Sequence, residues 1–195
     1  SSLLVSLVGA GAEAAPRRIV CLGDSLTEGF GLPADDAYPA ELGRLLKAAG
    51  HDVEVVNAGV SGATSASGPS RFRWQLRDKP EIVIIALGGN DGLRGQPVEA
   101  MRKSLTTTIT LAKENGVAVL LAGMKIPTNY GEEYRRDFEA VYPALAKEHG
   151  VPLIPFLLEG IAMKRELNLP DGIHPNAAGH ERLAKTVFEH LEPLL

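Results

Sequence analysis

Two places in this sequence carry residues able to perform nucleophilic chemistry together. Ser25 stands in Gly23-Asp24-Ser25-Leu26, directly after the apolar run Ile19-Val20-Cys21-Leu22, while Asp171 and His174 stand in Asp171-Gly172-Ile173-His174-Pro175. A serine hydroxyl is a poor nucleophile until a base takes its proton. An imidazole acts as that base only when a partner fixes which nitrogen carries the hydrogen. Three residues apart in a loop, Asp171 can set its carboxylate against Nδ1 of His174 and leave Nε2 facing Ser25. Pro175 biases His174 toward an extended backbone and keeps it out of the following helix. Each half has an ordinary alternative: Gly-Asp-Ser also suits a loop with a helix N-cap, and a lone histidine before a helix suits a cap or a surface site.

Hydrolysis at a carbonyl also needs donors aimed at the developing oxyanion. The candidates are the backbone N–H groups of Ser25 and Gly59 and the side-chain amide of Asn90 in Gly88-Gly89-Asn90-Asp91-Gly92. Gly59 suits the role because it has no Cβ to obstruct a close approach, although a glycine ending a strand and an asparagine in a turn are also common. Asp24 and Asp91 read as structural, tying loops together through backbone N–H groups. Gly-x-Ser-x-Gly is absent around Ser25, so the nucleophile elbow of the α/β-hydrolases is not expected. His51, His149, His180 and His190 read as exposed helical or turn positions without paired carboxylates at ligand spacing, so neither a metal nor a cofactor is expected. No phosphate-cradling glycine pattern follows a strand, and Gly29-Phe30-Gly31 stands alone.

These residues must be brought together by alternating elements. Strands are predicted at 17–22, 53–56, 81–87, 117–122 and 151–154, and the Ile-Val-Ile-Ile run reads as a central strand buried on both faces. Helices are predicted at 38–49, 71–78, 97–115, 132–149 and from 177 to about 190, with a mixed, helical stretch at 156–167. Gly50, Gly116 and Gly150 stand where helices stop. Such alternation predicts an α/β fold, a three-layer αβα sandwich around a five-stranded parallel sheet in the flavodoxin-like order 2-1-3-4-5. Ser25, Gly59, Asn90 and His174 then all follow strand ends and converge on one edge of the sheet.

Four blocks in order, Gly23-Asp24-Ser25-Leu26, Asn57-Ala58-Gly59, Gly88-Gly89-Asn90-Asp91 and Asp171-Gly172-Ile173-His174, resemble the SGNH (GDSL-type) hydrolases. Within them the chain looks like the periplasmic thioesterase, lysophospholipase and arylesterase group, from about Arg17 onward. The resemblance implies a lipolytic hydrolase with Ser25, Gly59, Asn90 and His174 as signature residues, and with a mobile loop at 124–130 over the acyl chain. Leu26, Leu93, Ile126, Pro127, Tyr130, Phe156 and Ile173 are the candidate acyl contacts. Gln96 stands where relatives often carry a bulky apolar residue, which leaves acyl length open. A carbohydrate acetyl-esterase on the same fold would want a polar groove with exposed aromatics, for which Trp74 is the available tryptophan. A flavodoxin-like ligand-binding domain would need the Ser, His and Asp coincidence to be accidental.

The 195 residues suit one domain, and a net charge of −4 argues against a nucleic-acid partner. The expected partner is a small-molecule ester or thioester, and a monomer is expected. The single cysteine, Cys21, lies inside the first predicted strand and reads as an inert buried thiol. Residues 1–15 hold an apolar run, Leu3 to Val8, followed by Ala12-Glu13-Ala14, resembling the end of a secretory signal peptide; a native N-terminal arm is the alternative. The run is too short to span a bilayer. Residues 16–195 form the single domain, expected in the periplasm or outside the cell.

Overall fold

The computed structural model describes residues 15–195; the expectation for the segment before them lies outside the described residues. Five parallel strands, β1 (Arg17–Gly23), β2 (Val53–Gly59), β3 (Ile82–Ala86), β4 (Ala118–Ala122) and β5 (Leu153–Ile154), lie in the order β2-β1-β3-β4-β5. That is the expected α/β sandwich with its switch between β1 and β3, where the order reverses. All five residues of β3 are buried. β-Branched side chains on both faces fit a strand covered by helices on either side. β2 lies at the edge and is only partly buried past Val53.

Among the described residues seven helices surround the sheet: α1 (Ser25–Glu28), α2 (Tyr38–Ala48), α3 (Gly68–Gln75), α4 (Gly89–Leu93), α5 (Val98–Glu114), α6 (Glu132–His149) and α7 (Ala177–Leu191). α2 packs on α7, while α3 and α6 both pack on α5, giving a helical layer on each side. Helical spacing in α2 brings Tyr38, Leu42 and Leu46 to its buried face. Buried apolar side chains of this size each contribute about 1.5–3 kcal/mol, so the sheet core is the rigid base from which its carboxyl edge projects loops. No described helix is long and apolar enough to cross a membrane.

Three expectations need correction. Residues 156–167 form a run of turns closed by a 3-10 turn at Arg165–Leu167, not an α-helix. Gly160 and Met163 both take positive φ, 71° and 65°, which an α-helix does not admit, so helical continuation is blocked. The fifth strand is only two residues long, because Pro152 cannot donate into the ladder and supplies only its carbonyl, to Leu121. His180 is buried, not exposed: its Nδ1 accepts the Tyr38 N–H at 3.1 Å, at the start of α2. Burial drives the His180 pKa down to about 4, keeping the ring neutral and able to accept.

Candidate active site

β1 delivers Ser25 to the carboxyl edge of the sheet, where it begins the single turn of α1. The N-cap alternative for Gly-Asp-Ser holds, and it leaves Ser25 Oγ in contact with His174. Asp24 Oδ1 accepts the Leu26 N–H at 3.0 Å and caps the turn. Asp24 is buried, which pushes its carboxyl up to about 6 against the opposing pull of the Leu26 N–H and of the nearby His174 and Arg71. Its other oxygen accepts from Asn90 Nδ2 at 3.3 Å. Asp91 is likewise a loop tie, accepting the N–H of Ser65 at 2.8 Å and its hydroxyl at 2.6 Å.

The loop carrying His174 is strapped across its base. Asn168 and Pro175 form an antiparallel bridge, and the Leu169 N–H donates to the His174 carbonyl at 2.7 Å. Buried Asn168 donates its amide to the carbonyls of Ile161 and Lys164 at 2.8 and 2.7 Å. Inside this strap, Asp171 Oδ1 accepts the N–H groups of Ile173 and His174 at 2.9 and 3.0 Å, an Asx-type turn. Its Oδ2 then meets His174 Nδ1 at 2.7 Å, and His174 Nε2 lies 2.9 Å from Ser25 Oγ. Desolvation would raise the Asp171 carboxyl, but the bonds from the His174 ring and from the two N–H groups outweigh it and hold it down at about 2. An ionised carboxylate only accepts, so Nδ1 carries the imidazole hydrogen and Nε2 accepts from Ser25.

Ser25, Asn90 and His174 share a cleft of about 400 Å³. Of the candidate acyl contacts, Leu26, Leu93, Ile126, Pro127, Phe156 and Ile173 line it. Tyr130 does not; its hydroxyl donates to the Leu93 carbonyl at 2.7 Å and props that wall from outside. Met124, Leu158, Ala162 and Met163 line the cleft as well. Met124 stands two residues past β4, a position that could have signalled it; the other three fall in the stretch expected to be helical. Lys125 lies at the wall, its Nζ 5.0 Å from the Phe156 ring centroid.

Gly59 is a correction. Its N–H is already donated to Asn57 Oδ1 at 2.9 Å, and it borders a separate depression of about 230 Å³ beside Val60, Arg71 and Trp74. The glycine is needed for another reason: a Cβ there would lie 2.1 Å from the Glu28 backbone nitrogen, so β2 could not approach α1. Three residues on, Gly62 sits in a turn closed by the Ala63 N–H on the Val60 carbonyl, with φ +75°. Its N–H has no protein partner among the described residues. The neighbouring Ala63 carbonyl accepts Asn90 Nδ2 at 3.0 Å, which ties this turn to the cleft.

Cys21 belongs to β1 itself, where burial pushes its thiol up to about 12 against a hydrogen bond with Tyr38, and it is not available as a nucleophile. Among the described residues no three His, Cys, Asp or Glu side chains are grouped so as to hold a metal ion.

Known proteins share this arrangement of sequence and fold. The model of the GDSL-like Lipase/Acylhydrolase family matches residues 21–182. Esterase TesA of Pseudomonas aeruginosa is 40% identical over 184 residues, covering 94% of this chain and 92% of its own length. Thioesterase 1/protease 1/lysophospholipase L1 of Escherichia coli is 38% identical, covering 93% of this chain and 86% of its own. A crystal structure of TesA superposes with a TM-score of 0.88 at 39% identity, covering 92% of this chain and all of that one.

Proposed function

This chain belongs to the GDSL-like lipase/acylhydrolase family and is an ester hydrolase, and we propose that it cleaves ester and thioester acyl groups through an acyl-enzyme on Ser25. The observation that supports this is the line from Ser25 Oγ through His174 to Asp171, 2.9 and 2.7 Å, at the wall of an apolar cleft. His174 Nε2 takes the hydroxyl proton as Ser25 Oγ bonds to the acyl carbon. The same proton passes to the departing alkoxide or thiolate, and the acyl group stays on Oγ. Water then repeats the sequence: His174 takes its proton, the hydroxyl attacks the acyl carbon, and Ser25 leaves with the proton returned. Asp171 keeps the imidazole in the one tautomer that can accept.

The Ser25 N–H and the Asn90 amide are two oxyanion donors, and Gly62 replaces Gly59 as the third because its N–H is unengaged. Asn90 exchanges its longer bond, 3.3 Å to Asp24, for the oxyanion and keeps the one to Ala63. Asn90→Ala therefore lowers kcat by about 10²–10³ with KM little changed. Steady-state kinetics on a soluble aryl ester measure this, and a near-wild-type kcat would reduce Asn90 to a loop tie.

An apolar cleft favours acyl chains over sugars. The exposed aromatic that a carbohydrate esterase would use, Trp74, borders the other depression. Ile126 is buried in the acyl wall, pressed so close to α4 that a Cβ on Gly92 would lie 2.5 Å from its Cγ2. Each methylene buried there is worth about 0.8 kcal/mol, or roughly fourfold. Ile126→Ala thus lowers kcat/KM for long-chain esters by about tenfold or more and leaves acetyl esters within about twofold. The comparison is internal to one variant, so a general folding loss cannot mimic it; equal proportional losses would make Ile126 a core residue only.

The direct test of the whole reading is a serine-directed phosphonate. One equivalent should attach to Ser25, with activity lost in step, while Ser25→Ala takes up none; labelling elsewhere would overturn the assignment. Residues 16–195 act as one domain, and the apolar stretch with Ala12-Glu13-Ala14 supports export to the periplasm or beyond.

A further inference from the structure

Phe30 is a large apolar side chain that the core does not use. It is 48% exposed, and its ring centroid lies 4.5 Å from that of His174, with the planes 36° apart. The backbone that puts it there is unusually constrained. Gly29 and Gly31 flank it with φ of +87° and +80°, a region that side-chain-bearing residues rarely adopt. A Cβ on Gly29 would lie 2.6 Å from the Ala37 Cβ, and one on Gly31 would lie 2.9 Å from Leu169 Cδ1, in the loop that carries His174. The N–H groups of Gly29 and Phe30 both donate to the Ser25 carbonyl, at 3.1 and 3.0 Å. Phe30 is therefore fastened to the residue that bears the hydroxyl and laid against the residue that receives its proton.

Two hydrogen bonds fix the nitrogens of His174 but do not cover the ring face. With Phe30 against that face, the His174 side chain is only 18% exposed. A ring that takes up a proton becomes a cation, and an aromatic π face within about 6 Å attracts a cation. We propose that Phe30 is a positioning residue for the catalytic base: it holds the imidazole between Asp171 and Ser25 and favours the protonated ring as Ser25 attacks. This rests on the reading of His174 as the base. It explains why an exposed phenylalanine sits between two left-handed glycines.

The test compares Phe30→Ala, Phe30→Leu and Phe30→Tyr, each on a partly exposed site that does not carry the fold. With a short acetyl aryl ester, Phe30→Ala is expected to lower kcat roughly three- to tenfold, the scale of an exposed cation–π contact, with KM within about twofold. Phe30→Tyr keeps the π face and restores kcat. Phe30→Leu keeps apolar bulk without a π face and stays low. In proton NMR the carbon-bound hydrogens of the His174 ring carry a ring-current displacement in wild type and Phe30→Tyr, lost in the other two variants. Wild-type kcat in Phe30→Ala, full recovery in Phe30→Leu, or a rise confined to KM would each overturn the proposal, the last by making Phe30 a substrate contact. The NMR signature needs no turnover. A Ser25→Ala variant that stays active would sink the reading of Ser25 and His174 as nucleophile and base, while a wild type whose His174 ring hydrogens carry no such displacement would sink this one.

Discussion

Ser25→Ala, His174→Ala and the double variant are expected to lose the same activity, about 10⁵–10⁶ in kcat, because the hydroxyl and the imidazole work as a unit. In the proposed mechanism their 2.9 Å contact is one proton-transfer path. Removing either end leaves nothing for the other to do, so the second substitution costs little more. What survives in all three is the contribution of the oxyanion donors and the cleft, which no longer have a nucleophile to assist but still polarise a bound ester toward water. The kinetics of a soluble aryl ester, read as kcat in each variant with thermal melting as a control for folding, check this. Losses that add on a logarithmic scale would show two independent groups, and the assignment of nucleophile and base would fall. The comparison is clean because neither side chain belongs to the hydrophobic core: His174 is held by hydrogen bonds, the Phe30 face and its strapped loop.

How much of this was legible from residues alone differs from element to element. β3 was legible because five consecutive apolar residues, four of them β-branched, have no other comfortable place than a strand covered on both faces. The convergence of Ser25, Asn90 and His174 on one edge was legible for a related reason: turn chemistry marks strand ends, and parallel strands send all their carboxyl ends the same way. Gly59 shows the limit of that logic. The need for a glycine is real, but its cause is the approach of the Glu28 backbone from a distant segment, which spacing within Asn57-Ala58-Gly59 does not contain. His180 fails likewise: its neighbours along α7 say helix, whereas its burial depends on the Tyr38 N–H, 142 residues away. In 156–167 the apolar residues Leu157, Leu158 and Ile161 repeat at helical intervals, and the pattern is misleading. Leu157 and Ile161 face the core from successive turns while Leu158 lines the cleft, and the positive φ of Gly160 and Met163 breaks the helical path between them.

Asp171→Asn should lower kcat by about 10⁴ while leaving the geometry of the site intact. The local hydrogen bonds decide which way the new amide points. Oδ1 of Asp171 accepts two N–H groups, from Ile173 and His174, and only an oxygen can fill that position. The asparagine oxygen therefore stays there, and its NH₂ group is turned toward Nδ1 of His174, where the carboxylate oxygen now sits at 2.7 Å. Facing a donor, Nδ1 must accept, so the hydrogen moves to Nε2. An Nε2–H cannot receive the proton of Ser25, and the base is lost without any side chain moving. The same bonds set the pH behaviour of the wild-type carboxyl, which is held down at about 2. A depressed carboxyl stays ionised above that value and loses its contribution only as pH falls through it. The carboxyl carbon resonance of Asp171 should accordingly keep its ionised position down to about pH 3, and in His174→Ala its midpoint should move up toward the ordinary value of about 3.9. Titration near 3.9 in the wild type, or an Asp171→Asn variant with unchanged kcat, would remove Asp171 as the residue that orients the base.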